Sequence, residues 1–283
     1  MSSQSSYPDA PASNQLLEPT LENNLHVMAR VVFGLMLRES RTRYGTSDLG
    51  YLWALIDPAI QMLMFWAIFT MLGRGVPVPT TMPVFLITGI LPYLFWRNCT
   101  NRGASAAASN LPLLTYPQVK VFDVVIARIL LDAGTVIIVT VIFVVALRFT
   151  VGQTFASWVR DPIVLATGVL ALMYFSFCSA IFSSSLARIW HAWPQIFGYL
   201  SRPLYFTSGI FFTLQSLPSG IKVLAEYNPL AHLLEWIRTG SIPGFVSTSY
   251  NPLFVYSFAT LMLFIGLVID WVLRMTGHSE EAH

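Results

Sequence analysis

The fold of this chain is decided by one stretch, RESRTRYGTSDLGYLWALIDPAIQMLMFW, which runs from Arg38 to Trp66. Its first residues are basic and polar, and the rest is apolar over the length of a membrane span, except for Asp57, Pro58 and Gln61. Charges held on one side orient a span in a bilayer, and polar groups inside the span must face protein or water. The stretch therefore predicts a membrane protein with a defined orientation, whose first span carries polar groups that contact protein, water or a polar ligand.

The composition indicates the same class of protein. Of the 283 residues, 55% are apolar and only 11% are charged, and the mean hydropathy is +0.62. Soluble domains carry about 25% charged residues. A formal net charge of +2 does not favour a nucleic-acid partner. Cys99 and Cys178 have no paired spacing, so small buried residues are predicted rather than a disulfide.

Six segments are predicted to cross the membrane, since spanning needs about 20 mostly apolar residues. They lie at about residues 51–72, 82–105, 121–147, 162–187, 192–215 and 252–273, within a transmembrane domain of residues 51–274. The predicted fold class is an all-α integral membrane protein with six transmembrane helices. In the third span, Arg128 and Asp132 are spaced i, i+4 and are expected to form an ion pair on one helix face.

The positions of the basic residues predict the orientation of these spans. Most Arg and Lys residues fall on the cytoplasmic side if the N-terminus is inside, so both termini are predicted to be cytoplasmic. Residues 1–19 lack an apolar core and are predicted to be a disordered cytoplasmic tail without a cleavable signal peptide. Residues 275–283 are predicted to be a second cytoplasmic tail.

Two further regions are amphipathic, and neither is predicted to cross the membrane. Residues 20–40 predict a helix lying in the membrane interface, or alternatively packed on the cytoplasmic surface of the protein itself. Residues 217–240 contain two short pieces separated by Tyr227, Asn228 and Pro229, where Asn228 suits a helix cap and Pro229 a first turn. Each piece is too short to cross, which favours a re-entrant pair entering from outside, with a surface hairpin as the alternative.

The largest cytoplasmic connection, residues 109–122, predicts a docking segment. Asn110 can cap a short helix and Pro117 can end it. Four apolar side chains there would be unfavourable in water unless a partner covered them: Leu111, Leu113, Leu114 and Tyr116. A plain loop on the membrane surface is the alternative.

Motifs for catalysis are missing from the sequence. It contains no G-x-x-x-x-G-K-[ST] loop for phosphates, no H-E-x-x-H and no G-x-S-x-G, and its histidines avoid the predicted spans. The chain is therefore not expected to be an enzyme, to hold a metal or to bind a cofactor itself.

Polar and aromatic side chains predict a path for a substrate. Arg38, Arg41 and Arg43 form a basic segment directly before the first span. Trp53, Asp57 and Gln61 share a face of the first span, and Tyr199, Arg202 and Phe206 share a face of the fifth. An arginine between aromatic rings suits an anionic or sugar-bearing ligand. Asp57 has an open alternative, which is a structural ion pair with an arginine of another span. Tyr227 and Trp236 are predicted outer contacts for the cargo.

Three motifs resemble one known family. They are RTRYGTSDLGYLWALIDPAIQ at Arg41–Gln61, SNLPLLTYPQVKVFDVVIAR at Ser109–Arg128, and YNPLAHLLEWIR at Tyr227–Arg238. Together they resemble the membrane subunit of type-2 ABC exporters, specifically the capsular polysaccharide and O-antigen export permeases. The capsule branch looks closest.

The resemblance implies a homodimeric pore in the bacterial inner membrane, worked by two copies of a separate ATPase that binds ATP and Mg. Asn110–Val121 would be the coupling helix seated in that ATPase, and the cargo would be loaded near Arg38, Arg41 and Arg43. The pieces around Asn228 would cap or gate the channel, with Pro229, Trp236 and Arg238 among their residues. The cargo would be a lipid-linked, acidic polysaccharide, passed to a periplasmic co-polymerase or adaptor and an outer-membrane polysaccharide export protein.

Rival functions follow from the same residues. The same architecture could export O-antigen, teichoic acid or a small drug. An ion-coupled carrier would use Asp57, Asp132 or Asp270 and would need no ATPase, and a membrane-embedded glycan transferase would be active alone.

Overall fold

The computed structural model describes residues 21–44, 50–106, 109, 121–152 and 158–276, which form helices joined by turns and loops, without any strand among them. The helices in chain order are α1 (Leu21–Tyr44), α2 (Gly50–Met71), α3 (Met82–Ala104), α4 (Val121–Val151), α5 (Pro162–Ile189), α6 (Trp193–Thr207), α7 (Ser219–Glu226), α8 (Pro229–Ser241) and α9 (Pro252–Met275). A short 3-10 turn, Leu214–Ser216, precedes α7.

Three helices begin with the same local chemistry, a capping side chain followed by proline. Asp161 accepts from the backbone N–H of Ile163 at 2.9 Å, and proline follows it at the start of α5. Asn228 caps α8 and Asn251 caps α9 in the same way. The cap takes an N–H that the helix leaves unpaired, and proline has no N–H to lose at that position.

The helices pack as a bundle around α3 and α5. Most of α3 is buried, and α5 packs against α3, α8 and α9. Among the described residues, three stretches are long and apolar enough to cross a membrane: Val121–Phe149, Pro162–Ile189 and Pro252–Met275. Apolar side chains on the outside of α4 and α9, such as Ile137 (63% exposed) and Phe264 (63%), suit contact with lipid. The structure thus agrees with the predicted all-helical membrane protein.

The helix predicted over residues 192–215 is shorter in the structure. α6 ends at Thr207, and the chain turns at Gly209, whose φ of 82° is a conformation that glycine adopts without strain. Residues 210–213 have no regular secondary structure. At this break, backbone carbonyls lose their helical partners and accept hydrogen bonds from arginines in other parts of the chain. Hydropathy along the sequence does not contain these distant contacts, so it did not predict the break.

The bundle has two ends, which we name by their neighbouring helices. The α1 end contains α1, the C-terminal ends of α3, α5 and α9, and the N-terminal ends of α4 and α6. The α8 end contains α7, α8 and the connections between α6 and α9. Ion pairs concentrate at the α1 end, including Arg188 with Asp270, which Arg274 also contacts at 2.9 Å.

Candidate functional site

The predicted loading arginines fall on the last turns of α1. Arg38 and Arg41 are exposed and line a groove of about 360 Å³, whose other walls are Gly34, Leu37 and Thr42. Arg43 belongs to the helix, but its side chain lies outside the described part of the structure. Two exposed guanidinium groups beside an open groove are suited to an anionic group arriving at the α1 end.

Arg128 connects three parts of the α1 end. Its Nε atom lies 3.2 Å from Oε1 of Glu39 in α1. Its Nη1 atom donates to the Arg102 carbonyl at the end of α3 (2.7 Å), and its Nη2 atom donates to Oγ of Ser109 (2.8 Å). The Arg128 side chain is 7% exposed and the Glu39 side chain 25%, so water screens the pair only from one side. We call these four residues the Arg128 network.

The predicted ion pair between Arg128 and Asp132 was wrong. Asp132 pairs with Arg102 instead, at 2.8 Å between Oδ1 and Nη1, while Arg128 pairs with Glu39. The i, i+4 rule considers one isolated helix. In the folded chain, helices α1 and α3 bring opposite charges to each of these two side chains, and the pairs between helices form in its place.

The predicted coupling residues lie outside the described residues: Asn110, Leu111, Leu113, Leu114, Tyr116 and Pro117. The structure describes the two ends of that segment. Ser109 is held by Arg128 on one side, and Val121 begins α4 on the other. The segment leads into α4, and Arg128 of α4 also donates a hydrogen bond to Ser109, where the segment begins.

Trp53, Asp57 and Gln61 share one face of α2, as their i, i+4 spacing requires. Trp53 is 64% exposed and Asp57 is exposed. Nε2 of Gln61 donates to Oδ1 of Asp57 at 3.1 Å. Within the described part of the chain, Asp57 forms no ion pair with an arginine, so the described residues do not provide the structural pair that was the alternative.

Tyr199, Arg202 and Phe206 share a face of α6 and are all exposed. The Arg202 guanidinium lies 5.6 Å from the centre of the Tyr199 ring, within the range of a cation–π contact. Phe206 packs edge-on against Tyr205, at 5.5 Å between ring centres. Arg202 was predicted to lie between two aromatic rings. In the structure it contacts Tyr199, whereas Phe206 packs against Tyr205.

The residues predicted for the outer gate separate into two groups. Tyr227 is 73% exposed, whereas Pro229, Trp236 and Arg238 are buried within the subunit. Trp236 stacks on Tyr250 at 5.6 Å between ring centres. Only Tyr227 of this set has an exposed side chain that a cargo could contact directly in a single subunit.

Arg238 organises the break between α6 and α7. Its Nη1 atom donates to the carbonyls of Gly209 (2.5 Å) and Phe212 (3.0 Å), and its Nη2 atom donates to that of Ile210 (2.8 Å). The guanidinium also lies 4.0 Å from the centre of the Phe85 ring. Arg74 takes the remaining carbonyl of this run, that of residue 211, at 2.9 Å. Four consecutive carbonyls without helical partners are therefore all satisfied.

Glu235 completes this polar core one turn before Arg238. Its Oε1 atom accepts from the N–H of Leu214 at 2.5 Å, and its Oε2 atom accepts from the Ser247 hydroxyl. Glu235 and Arg238 thus place two opposite charges in the buried interior of this region. The hydrogen bonds that the Nη atoms of Arg238 donate to backbone carbonyls fix the geometry of the backbone around this buried charge.

Sequence reasoning missed Glu39 and Glu235 as members of these sites. Glu235 had a usable signal, since it precedes Arg238 by three residues in a motif already singled out. Glu39 carries none, because its partner Arg128 is distant in sequence. Within the described residues, no group of three or more His, Cys, Asp or Glu side chains is placed to hold a metal ion.

Known proteins resemble this chain over most of its length. The sequence pattern of the ABC-2 type transporter family matches residues 30–242. The polysialic acid transport protein KpsM of Escherichia coli is 31% identical, covering 87% of this chain and 95% of that protein. The capsule polysaccharide export inner-membrane proteins BexB of Haemophilus influenzae and CtrC of Neisseria meningitidis are each 27% identical. Their alignments cover 89% and 87% of this chain, and 94% and 92% of those proteins.

Proposed function

The chain belongs to the ABC-2 type transporter family, and on this premise we propose that it is the membrane permease of an ATP-driven exporter of capsular polysaccharide. The cargo is lipid-linked and acidic, and the membrane is the bacterial inner membrane. The observation that carries the proposal is the similarity, over almost the full length of the relatives, to polysialic acid and capsule export permeases.

The proposed topology has six spans with both termini in the cytoplasm. They are α2, α3, α4, α5, α6 with the residues that follow it, and α9. The 15 residues of α6 reach only about 22 Å, less than the roughly 30 Å of a hydrocarbon core, so residues 208–213 complete the crossing. The α1 end is then the cytoplasmic end, in agreement with its many arginines.

Two features are proposed to lie at the membrane surfaces. α1 is an interface helix, which its exposed Phe33 (61%) and Leu37 (49%) beside Arg38 and Arg41 support. α7 and α8 form the re-entrant pair at the outer side. The burial of α8 and the hydrogen bonds that its Glu235 and Arg238 form support this placement, because helix ends inside a membrane need protein partners.

The permease works as a homodimer with two copies of a cytoplasmic ATPase. This chain has no phosphate-binding loop, so ATP and Mg bind to the partner. Closure of the ATPases on ATP moves the coupling segment, Asn110–Val121. The Arg128 network joins the start of that segment to α1 and α3, and would pass the movement to the loading groove and to the spans.

The rate of ATP hydrolysis by the reconstituted complex tests this function. The permease and the ATPase encoded beside it, reconstituted together in lipid nanodiscs, should hydrolyse ATP faster when lipid-linked acidic capsule precursor is added. A stable complex that responds to O-antigen, teichoic acid or a small drug in place of the capsule precursor would assign another cargo. A permease that transports without any ATPase would contradict the proposal and favour an ion-coupled carrier.

A further inference from the structure

We propose that His232 is a pH-sensitive lock between α8 and α9. Its neutral ring ties the start of α9 to the α7–α8 pair, and protonation of the ring breaks that tie. The inference goes beyond the proposed function, and it depends on neither the cargo nor the ATPase.

The imidazole of His232 bridges the ends of two other helices. The residue lies on α8 and is only 4% exposed. Its Nε2 atom lies 2.8 Å from the carbonyl oxygen of Glu226, the last residue of α7. Its Nδ1 atom accepts a hydrogen bond from the N–H of Asn251, directly before α9, at 3.1 Å. One buried side chain therefore joins α7, α8 and α9.

These two hydrogen bonds require a neutral ring. The carbonyl oxygen of Glu226 can only accept, so Nε2 carries the proton and donates it. The N–H of Asn251 can only donate, so Nδ1 must keep its lone pair. Both nitrogens of a protonated imidazole are donors, whichever way the ring is turned. Protonation would therefore leave the bond to Glu226 and remove the bond to Asn251.

Asn251 is also the residue that caps α9. Its Oδ1 atom accepts from the N–H of Phe254 at 3.2 Å. The ring of Phe254 in turn lies edge-on to the imidazole, at 5.2 Å between ring centres. His232 thus holds the first turn of α9 through both its cap residue and an apolar contact. Loss of the bond would leave the partly buried N–H of Asn251 without this partner, which favours an arrangement in which the junction opens to water.

Within the described part of the chain, no carboxylate forms an ion pair with His232. Glu226 pairs with Lys222 at 3.8 Å, and Glu235 accepts from Leu214 and Ser247. The charged residues of α3, α5 and α9 lie towards the α1 end. The other titratable side chains of the α8 end bind backbone groups or are phenols: Arg74, Arg160, Asp161, Arg238, Tyr227, Tyr250 and Tyr256.

A protonated His232 would therefore be a buried cation with one carbonyl as its acceptor. Burial of a charge without an ionic partner is unfavourable, and water reaches the ring only if the junction opens. The closed junction requires the neutral ring, so acid favours the open one. Histidine is the side chain that ordinarily changes its charge between pH 5 and 8, so the lock would respond within that range.

Thermal unfolding of the full chain in detergent, at pH 8 and pH 5.5, tests the lock. In His232→Asn, the side-chain oxygen takes the place of Nδ1 and accepts from Asn251 at either pH. The unfolding midpoint of the wild type should fall on acidification by about 2–4 °C more than that of His232→Asn. His191→Asn is the matched control. His191 is exposed between α5 and α6, so this variant should respond to acid as the wild type does.

A cysteine at position 255 reports the opening of the junction itself. Val255 lies in the first turn of α9 and is fully buried, so the thiol of Val255→Cys reacts with a maleimide only when that turn opens. Its labelling rate is compared with that of Val255→Cys/His232→Asn at the same pH, which cancels the pH dependence of the thiol. The two rates should agree at pH 8, and the variant that retains His232 should react about fivefold faster at pH 5.5. Mass spectrometry of the peptide that contains residue 255 separates this label from Cys99 and Cys178.

Two results would overturn the assignment. One is an equal fall of the midpoint in wild type and His232→Asn, which would place the acid response elsewhere in the chain. The other is an equal labelling rate at pH 5.5 with and without His232. If His232→Asn does not fold, His232→Gln, which likewise cannot be protonated in this range, takes its place in both measurements. Failure of the lock would leave the proposed exporter function intact, since that function is tested by ATP hydrolysis in the assembled complex.

Discussion

The Nε atom of Arg128 lies 3.2 Å from Oε1 of Glu39, and this ion pair joins the second turn of α4 to α1. The other nitrogens of the same guanidinium hold the end of α3 and Ser109, where the proposed coupling segment begins. A planar group with a fixed set of donors holds its partners in one geometry. A displacement of the coupling segment would therefore move α1 and α3 together.

Glu39→Gln should uncouple transport from ATP hydrolysis. The substitution keeps the shape of the side chain and removes the charge that faces Arg128. An ion pair of this partial exposure contributes about 1 kcal/mol, which corresponds to about a fivefold fall in export rate if the pair acts in the coupling step. ATP turnover by the assembled complex should persist, and both rates are measured in the same proteoliposomes.

Glu226→Gln is the matched control for Glu39→Gln. Glu226 pairs with Lys222 at 3.8 Å on an exposed surface, so its neutralisation should leave export unchanged. Equal export by Glu39→Gln and wild type would show that the Arg128 network serves only to hold the fold.

Substitutions in the coupling segment should separate transport from membrane insertion. Leu114→Arg places a charge, and Tyr116→Ala leaves a gap, where an apolar contact with the ATPase is proposed. Both variants should insert normally and lose export, together with most of the ATPase that co-purifies with wild type. Normal export by both would remove the coupling role from this segment.

Arg238→Lys should destabilise the fold even though it keeps the charge. A lysine ammonium cannot reach the carbonyls of Gly209, Ile210 and Phe212 at the same time, and it loses the flat contact with Phe85. The loss should be on the order of 2–4 kcal/mol, seen as a lower thermal midpoint in detergent. Arg148→Lys, at an exposed position, should leave the midpoint in place. Equal midpoints for the two variants would contradict the role of Arg238.

Gly240→Ala should separate α8 from α5. A Cβ atom at Gly240 would lie 2.4 Å from the backbone nitrogen of Leu165, and backbone cannot move aside as a side chain can. Overpacking of this kind costs about 1–3 kcal/mol. Gly134→Ala is the control, since its Cβ meets nothing within 4 Å and alanine favours the helix. A stable, export-competent Gly240→Ala protein would mean that α8 is not fixed against α5.

Much of the fold is predictable because hydropathy and capping act locally. Asp161, Asn228 and Asn251 each precede a proline and start the helices that their side chains predict. The end of α6 is not predictable in this way. Thr207 is followed by apolar residues that read as more helix, and the chain leaves the helix there because Arg74 and Arg238 supply the hydrogen bonds from elsewhere.

The candidate sites show the same difference between contiguous motifs, which the sequence predicts, and burial, which it does not. The motifs around Arg41, Asn110 and Asn228 are contiguous, so they indicate the family and its coupling and outer segments without any structure. Trp236 and Arg238 looked like residues of an outer gate, and the structure buries both. Burial depends on which helices pack around a residue, which a pattern along one helix does not contain.

The sequence by itself determined that this chain is a helical membrane protein in which a basic segment precedes an apolar helix with polar residues. Those properties come from composition, periodicity and charge order, which act before any tertiary contact forms. Only the tertiary structure decided the partners of the charges, with Glu39 beside Arg128 and Arg102 beside Asp132. Those residues are far apart along the chain, and packing of the helices brings them together.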